Sequence, residues 1–206
     1  MKINYICRCL ILVLLLHYTL PCSANSTILV LGDSLSAGYG MAADQGWVNL
    51  LALRLADKRP DYTVVNDSVS GESSAEGLQR LPPQLVTVNP QILIVALGSN
   101  DGLRLEPLLG MRINLSKIID LAQSKSAQIL LIGFKMPENY DPAYRADFEN
   151  SFVTLSNTYG IKLVPFLMDG FPHDLNFYQA DLLHPKVVAQ PIMLDNVWKY
   201  LEPMFK

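Results

Sequence analysis

Beyond residue 22 the chain contains no cysteine: its three, Cys7, Cys9 and Cys22, all fall in the opening segment. A fold without cysteine cannot be stapled by disulfides even in an oxidising compartment, so its stability has to come from its core. Histidine is nearly as scarce, with only His173 and His184 after the first 24 residues. Together these shortages leave a His/Cys zinc site without enough ligands. Positive charge is short as well. The formal net charge of −3 becomes −5 once the first 24 residues, which carry Lys2 and Arg8 and no acid, are set aside. That sign argues against nucleic acid or anionic lipid as a partner. No apolar run is long enough for a bilayer span, which needs about 20 residues.

The opening segment has its own pattern. Lys2 and Arg8 bracket a weakly polar start, Cys9 to Leu16 is almost wholly apolar, Pro21 breaks the run, and Cys22 and Ala24 are the small residues a signal peptidase reads. Residues 1–24 are therefore expected to be a secretory signal peptide, cleaved after Ala24. The protein would then be exported, to the periplasm of a bacterium or beyond, with no stable membrane anchor after cleavage. A retained anchor is the rival reading, against which the short apolar run speaks; a lipoprotein signal ending at Cys22 would place Pro21 where a small residue is wanted. Residues 25–206 are expected to form one domain, large enough to bury a sufficient core.

Within that domain Thr27 to Leu31, Ile92 to Leu97 and Ile129 to Ile132 are continuous apolar runs rich in β-branched residues, and Thr63 to Val65 and Ile161 to Val164 are shorter versions. Such runs predict strands buried on both faces. Between them the period changes to that of a helix: Leu115, Ile118, Ile119 and Ala122 form one stripe, and Tyr144, Phe148, Phe152, Leu155 and Tyr159 another. Met193, Val197, Tyr200 and Leu201 form a last one. Strands alternating with one-sided helices predict an α/β fold, a parallel sheet covered on both faces by right-handed crossovers. Ligands of such sheets bind beyond the carboxyl ends of the strands, near the point where strand order reverses.

The loops after the strands carry Gly32-Asp33-Ser34-Leu35, Ser70-Gly71, Gly98-Ser99-Asn100-Asp101 and Met136-Pro137, and Asp181-Leu182-Leu183-His184-Pro185 precedes the last helix. A serine at a strand-to-helix turn presents its hydroxyl at the rim, with the N–H groups of the following helix aimed at the same point. Its bland alternative is a capping role for Ser34 and Asp33. A serine nucleophile needs a base. His184 is one candidate, three residues after Asp181, so that on a helical turn the carboxylate shares its face and could fix its tautomer. Pro185 suits the start of the next helix. Asp181 could instead be a plain cap, and His173 is a competing base that reads more simply as a loop residue. Oxyanion donors would be the Ser34 N–H, Gly71 and the Asn100 carboxamide. Gly71 also reads as a turn residue, and Asn100-Asp101 as an Asx turn.

Taken together these blocks resemble the GDSL, or SGNH, hydrolase family. GDSLSAGYG at 32–40 looks like its first block with Ser34, NDSVSG at 66–71 its second with Gly71, GSND at 98–101 its third with Asn100, and DLLHP at 181–185 its last with Asp181 and His184. LQRLPP at 78–83, NDGLR at 100–104, MPENY at 136–140 and LVPFLM at 163–168 are similar to the bacterial exported thioesterase, lysophospholipase and arylesterase branch. Two positions depart: Ser99 stands where the third block usually has a second Gly, and Leu182-Leu183 where the last usually has Gly-Ile. Neither removes a reacting atom, and both bear on loop shape.

The resemblance implies a three-layer α/β/α sandwich of flavodoxin type, strand order 2-1-3-4-5. It further implies a monomer with no metal and no organic cofactor, acting on small-molecule acyl esters or thioesters through an acyl-enzyme on Ser34. Leu103, Leu105, Met136 and Pro137 are the expected walls of an acyl pocket, although ordinary packing explains apolar residues there equally well. A carbohydrate O-acetyl esterase and a non-catalytic envelope binding protein are the competing readings.

Overall fold

The computed structural model describes residues 26–206; the expected signal peptide and its cleavage point lie outside them. Five strands, β1 (Ser26–Gly32), β2 (Tyr62–Asn66), β3 (Ile92–Ala96), β4 (Gln128–Ile132) and β5 (Lys162–Val164), form one sheet in the order β2-β1-β3-β4-β5. All four pairings are parallel. Every residue of β3 is buried, as are Ile28 to Gly32 of β1, whereas edge strand β2 buries only Tyr62. The continuous apolar runs are thus the central strands, and the weaker, shorter runs are the edges.

Seven helices connect and cover the sheet: α1 (Ser34–Ala37), α2 (Trp47–Lys58), α3 (Ser74–Val88), α4 (Ser99–Leu103), α5 (Leu108–Ser124), α6 (Pro142–Tyr159) and α7 (Gln190–Leu201). α2 packs against α7, while α3, α5 and α6 pack on one another in sequence. The predicted stripes face inward. Leu115, Ile118, Ile119 and Ala122 are buried on α5, Phe148, Phe152 and Leu155 on α6, and Met193, Val197 and Leu201 on α7; Tyr144, Tyr159 and Tyr200 are half-buried at the margins. Among the described residues, no helix is long and apolar enough to cross a membrane.

The helix ends are fixed locally. Ser73 and Glu76 form a reciprocal capping box on α3, and α6 starts on Asp141 with Pro142 in its first turn and ends on Gly160 in the left-handed conformation. From β1 the chain crosses to β2 on one side, while β3 lies on β1's other side, so strand order reverses between β1 and β3. Ser34 and Asn100 leave from those two strands. This is the switch point at which a parallel sheet opens a crevice.

Candidate active site

Gly32 ends β1 in a space that excludes a side chain: a Cβ there would lie 2.8 Å from the Ser36 Cβ and 2.9 Å from the Ser68 Oγ. Asp33 follows as the N-cap of α1, its Oδ1 accepting the Leu35 N–H at 3.0 Å. The capping role therefore belongs to Asp33, and Ser34 is left as the first helical residue, half-buried, with its hydroxyl free of the cap. The helix expected beyond Ser34 is a single turn. It stops at Gly38, whose φ of 78° reverses the chain.

The Ser34 hydroxyl meets an imidazole from 150 residues away: Ser34 Oγ is 2.9 Å from His184 Nε2. The other ring nitrogen, Nδ1, is 2.7 Å from Asp181 Oδ2. Contrary to expectation, Asp181 and His184 do not share a helical turn. They lie in an irregular loop in which Asp181 Oδ1 accepts the N–H groups of Leu183 at 2.9 Å and His184 at 3.0 Å. The carboxylate folds the loop around itself and so reaches the ring of a residue three positions on. Leu182 pays for this turn with a φ of 53°.

Pro185 likewise does not begin a helix. It pairs with Tyr178 in an isolated bridge, and the proline in the first turn of α7 is Pro191. His173 sits apart from Ser34, with Nε2 2.6 Å from the Leu182 carbonyl oxygen and its ring edge-on to Tyr178. It braces the loop that carries His184.

Electrostatics separate the two aspartates. Burial pushes the Asp181 carboxyl up, but the N–H of His184, its imidazole and the Leu183 N–H outweigh that and hold it at about 2. Asp33 is driven the other way. Complete burial lifts it to about 6, against the opposing hydrogen bonds from the Ser99 hydroxyl and the Leu35 N–H and the nearby His184. Asp181 is therefore the ionised partner of the imidazole at neutral pH, while Asp33 is a buried acid close to its titration point.

Gly71 and Asn100 line the same cavity as Ser34 and His184, a space of about 310 Å³. Gly71 has a φ of 81°, which a side chain would strain. Asn100, in α4 after Gly98 turns the chain at a φ of 107°, donates its Nδ2 to the Glu72 carbonyl oxygen at 3.0 Å. Glu72 is itself immobilised by Arg80, whose guanidinium also holds Asp67. Asn100 is thus a carboxamide held in a helical turn, its Nδ2 also reaching Asp33 Oδ2 at a long 3.5 Å, rather than the turn residue its Asn-Asp context also allowed. Asp101 serves the fold instead. Buried, it accepts the Ser74 N–H at 2.8 Å and the Ser74 hydroxyl, tying α4 to α3.

A serine hydroxyl, an imidazole and an ionised carboxylate in series have the geometry that general-base activation of a nucleophile needs. The third block's Ser99 and the first block's Asp33 turn out to be linked to each other, which neither block announces alone. Tyr39, whose ring centroid lies 4.4 Å from that of His184, went unnoticed in the sequence, as did Phe134 in the cavity wall. Of the four residues expected to line an acyl pocket, Leu103 lies in the first cavity. Met136 and Pro137 lie in an adjoining one of about 550 Å³ that shares Phe134 and Leu183 with it. Leu105 does not join them: it lines neither cavity and is 63 % exposed.

The family described as GDSL-like Lipase/Acylhydrolase matches residues 30–189. The chain belongs to that family. Relatives of this GDSL-like acylhydrolase include Esterase TesA of Pseudomonas aeruginosa, 42 % identical over 95 % of the chain and 96 % of the relative. Another is Thioesterase 1/protease 1/lysophospholipase L1 of Escherichia coli strain K12, 37 % identical over 90 % of the chain and 88 % of the relative. Among solved structures, psychrotrophic esterase EstA from Pseudoalteromonas sp., inhibited by monoethylphosphonate, superposes with a TM-score of 0.82. It is 35 % identical and covers 86 % of this chain and 97 % of its own. The sandwich and strand order of this acylhydrolase are those of the GDSL fold.

Proposed function

We propose that the chain is an exported serine hydrolase that cleaves acyl esters and thioesters through an acyl-enzyme on Ser34. The observation that carries the reading is the series Ser34 Oγ to His184 Nε2 at 2.9 Å and His184 Nδ1 to Asp181 Oδ2 at 2.7 Å. His184 takes the serine proton as Oγ attacks the acyl carbonyl, and the imidazolium is stabilised by ionised Asp181. The tetrahedral oxyanion rests on the N–H groups of Ser34 and Gly71 and on the Asn100 carboxamide. His184 returns the proton to the leaving alcohol or thiol, and water repeats the attack on the acyl-enzyme with the same base. The relatives named esterase, thioesterase and lysophospholipase support this range of leaving groups.

In this reading residues 1–24 are a signal peptide, residues 25–206 one hydrolase domain working as a monomer, and the periplasm its compartment. Labelling of the purified protein by a fluorophosphonate, abolished in Ser34→Ala, is the expected result; no labelling, or equal labelling of the variant, overturns it. The cavity beyond Phe134 favours a medium acyl chain over the acetyl group of a sugar ester. Hydrolysis of p-nitrophenyl decanoate in preference to the acetate is expected, and cleavage of acetyl esters alone would reverse that choice.

A further inference from the structure

The larger cavity has a composition that an aliphatic chain does not explain. Its near end is apolar, with Phe134 and Leu183 shared with the Ser34 cavity and Met136 and Met168 beyond them, yet Lys135 and Arg145 line it too. Among the described residues neither cation has a carboxylate within 4.0 Å, although Glu138 lines the same space. The exposed Lys135 holds its ammonium 5.1 Å from the centroid of Phe166, another residue of the lining. Arg145 is the more telling. Its Nε–H is buried and has no hydrogen-bond partner. A guanidinium stays charged under all ordinary conditions, and a buried donor on it without an acceptor is costly.

We propose that this cavity is a second subsite, which binds an anionic group carried on the arm of the substrate, acyl or alcohol, that passes its apolar near end. The subsite rests on the Ser34 reading, because the reacting carbonyl sets where the apolar segment begins. An oxyanion in the cavity offsets that cost: with the Arg145 Nε–H covered by the protein itself, it accepts from the outer N–H groups of the guanidinium and meets the Lys135 ammonium as a point charge. The chemistry is shared by two sources, a carboxylate at the far end of the acyl chain and a phosphate on the alcohol. The chain's overall negative charge would repel such a substrate, so an unneutralised cationic pair beside the site has a specific use there.

Two substrate pairs separate the sources: p-nitrophenyl decanoate against the mono-p-nitrophenyl ester of decanedioic acid, and 1-decanoylglycerol against its 3-phosphate. For each pair the quantity read is the ratio of kcat/KM, charged over neutral. Arg145→Gln and Lys135→Met, tested separately in the full chain, are expected to lower that ratio roughly tenfold in at least one pair, through KM, as charge-assisted hydrogen bonds of this kind do. Arg145→Lys should recover part of it. A fall confined to the first pair places the anion on the acyl chain; a fall confined to the second places it on the alcohol. Ratios unmoved in both pairs overturn the subsite while leaving Ser34 untouched. Wild-type protein inactive on both neutral esters and unlabelled by fluorophosphonate overturns the Ser34 reading, and the subsite with it.

Discussion

Arg104 Nη2 donates to the carbonyl oxygen of Gly71 at 2.7 Å, joining the end of α4 to the loop after β2. This fastens the far side of a peptide unit next to the Gly71 N–H, whose direction depends on that left-handed glycine staying put. Arg104 is exposed and makes no other side-chain hydrogen bond among the described residues, so on the proposed mechanism it is a positioning residue for the Gly71 N–H. Arg104→Ala is expected to lower kcat roughly three- to tenfold, the worth of one hydrogen bond, with KM and the thermal midpoint little changed. Steady-state kinetics beside a melting curve check this.

Asn100→Ala should cost more. Loss of an oxyanion donor lowers turnover by about 10²- to 10³-fold. The variant also leaves the Glu72 carbonyl oxygen without its carboxamide donor, so a small drop in melting temperature accompanies the kinetic loss. Unchanged turnover would return Asn100 to a structural role.

Asp181→Asn is expected to keep the loop and lose the chemistry. The asparagine oxygen can still accept the N–H groups of Leu183 and His184, which places its amide nitrogen against His184 Nδ1 and inverts the imidazole tautomer. A turnover loss on the order of 10⁴-fold follows where a triad carboxylate is replaced this way. An intact circular-dichroism spectrum with that loss is the result to look for.

Asp33 makes stability depend on pH. Its carboxyl is lifted from 3.8 to about 6 in the fold, so the folded chain holds a proton that the unfolded chain has released. The resulting stabilisation is full below pH 3.8 and disappears as pH rises through about 6; at about 1.4 kcal/mol per unit it amounts to about 3 kcal/mol. Asp181 runs in the opposite sense: its contribution is present above 3.8 and is lost as pH falls toward 2. Urea unfolding of wild type and Asp33→Asn between pH 4 and pH 8 should show the difference between them shifting by roughly 2 kcal/mol in the variant's favour as pH rises, the part of the full effect that falls in that window. Ser99→Gly, which removes the strongest group opposing the lift, should move the Asp33 titration higher still, visible by carboxyl NMR.

Leu182 occupies a left-handed conformation, φ 53°, at the position where the family's last block usually has glycine. A side chain there costs about 1–2 kcal/mol. Leu182→Gly should recover about 1 kcal/mol of it after the added flexibility of the unfolded chain is counted, and raise the thermal midpoint by a few degrees. A lower midpoint would mean that the leucine side chain's contacts with the second cavity outweigh the backbone strain.

The sheet was legible because its strands are uniform apolar runs, and uniformity is what burial on two faces requires: Ile92 to Ala96 could hardly be anything else. That Ser34, Gly71, Asn100 and His184 converge on one cavity was legible because each stands in a loop or turn on the carboxyl side of the sheet with a residue type that chemistry restricts. Three features were out of reach. The Asp181 to His184 loop looked like one helical turn because spacing of three is ambiguous between a turn and an Asx loop. Leu105 looked like a pocket wall, but an apolar side chain in a loop carries no sign of which way it points. The Asp33 to Ser99 contact spans 66 residues and depends on β1 lying beside β3, which no local pattern records.

The hydroxyl and the imidazole of the Ser34 to His184 pair are 150 positions apart, the first leaving β1 and the second lying past β5. A ribosome therefore makes the Ser34 hydroxyl 150 residues before the imidazole it meets in the fold. Until the last strand and the loop after it are in place, a nascent polypeptide carries Ser34 without the base that the proposed mechanism gives it. On that mechanism hydrolytic power arrives all at once, with the finished fold.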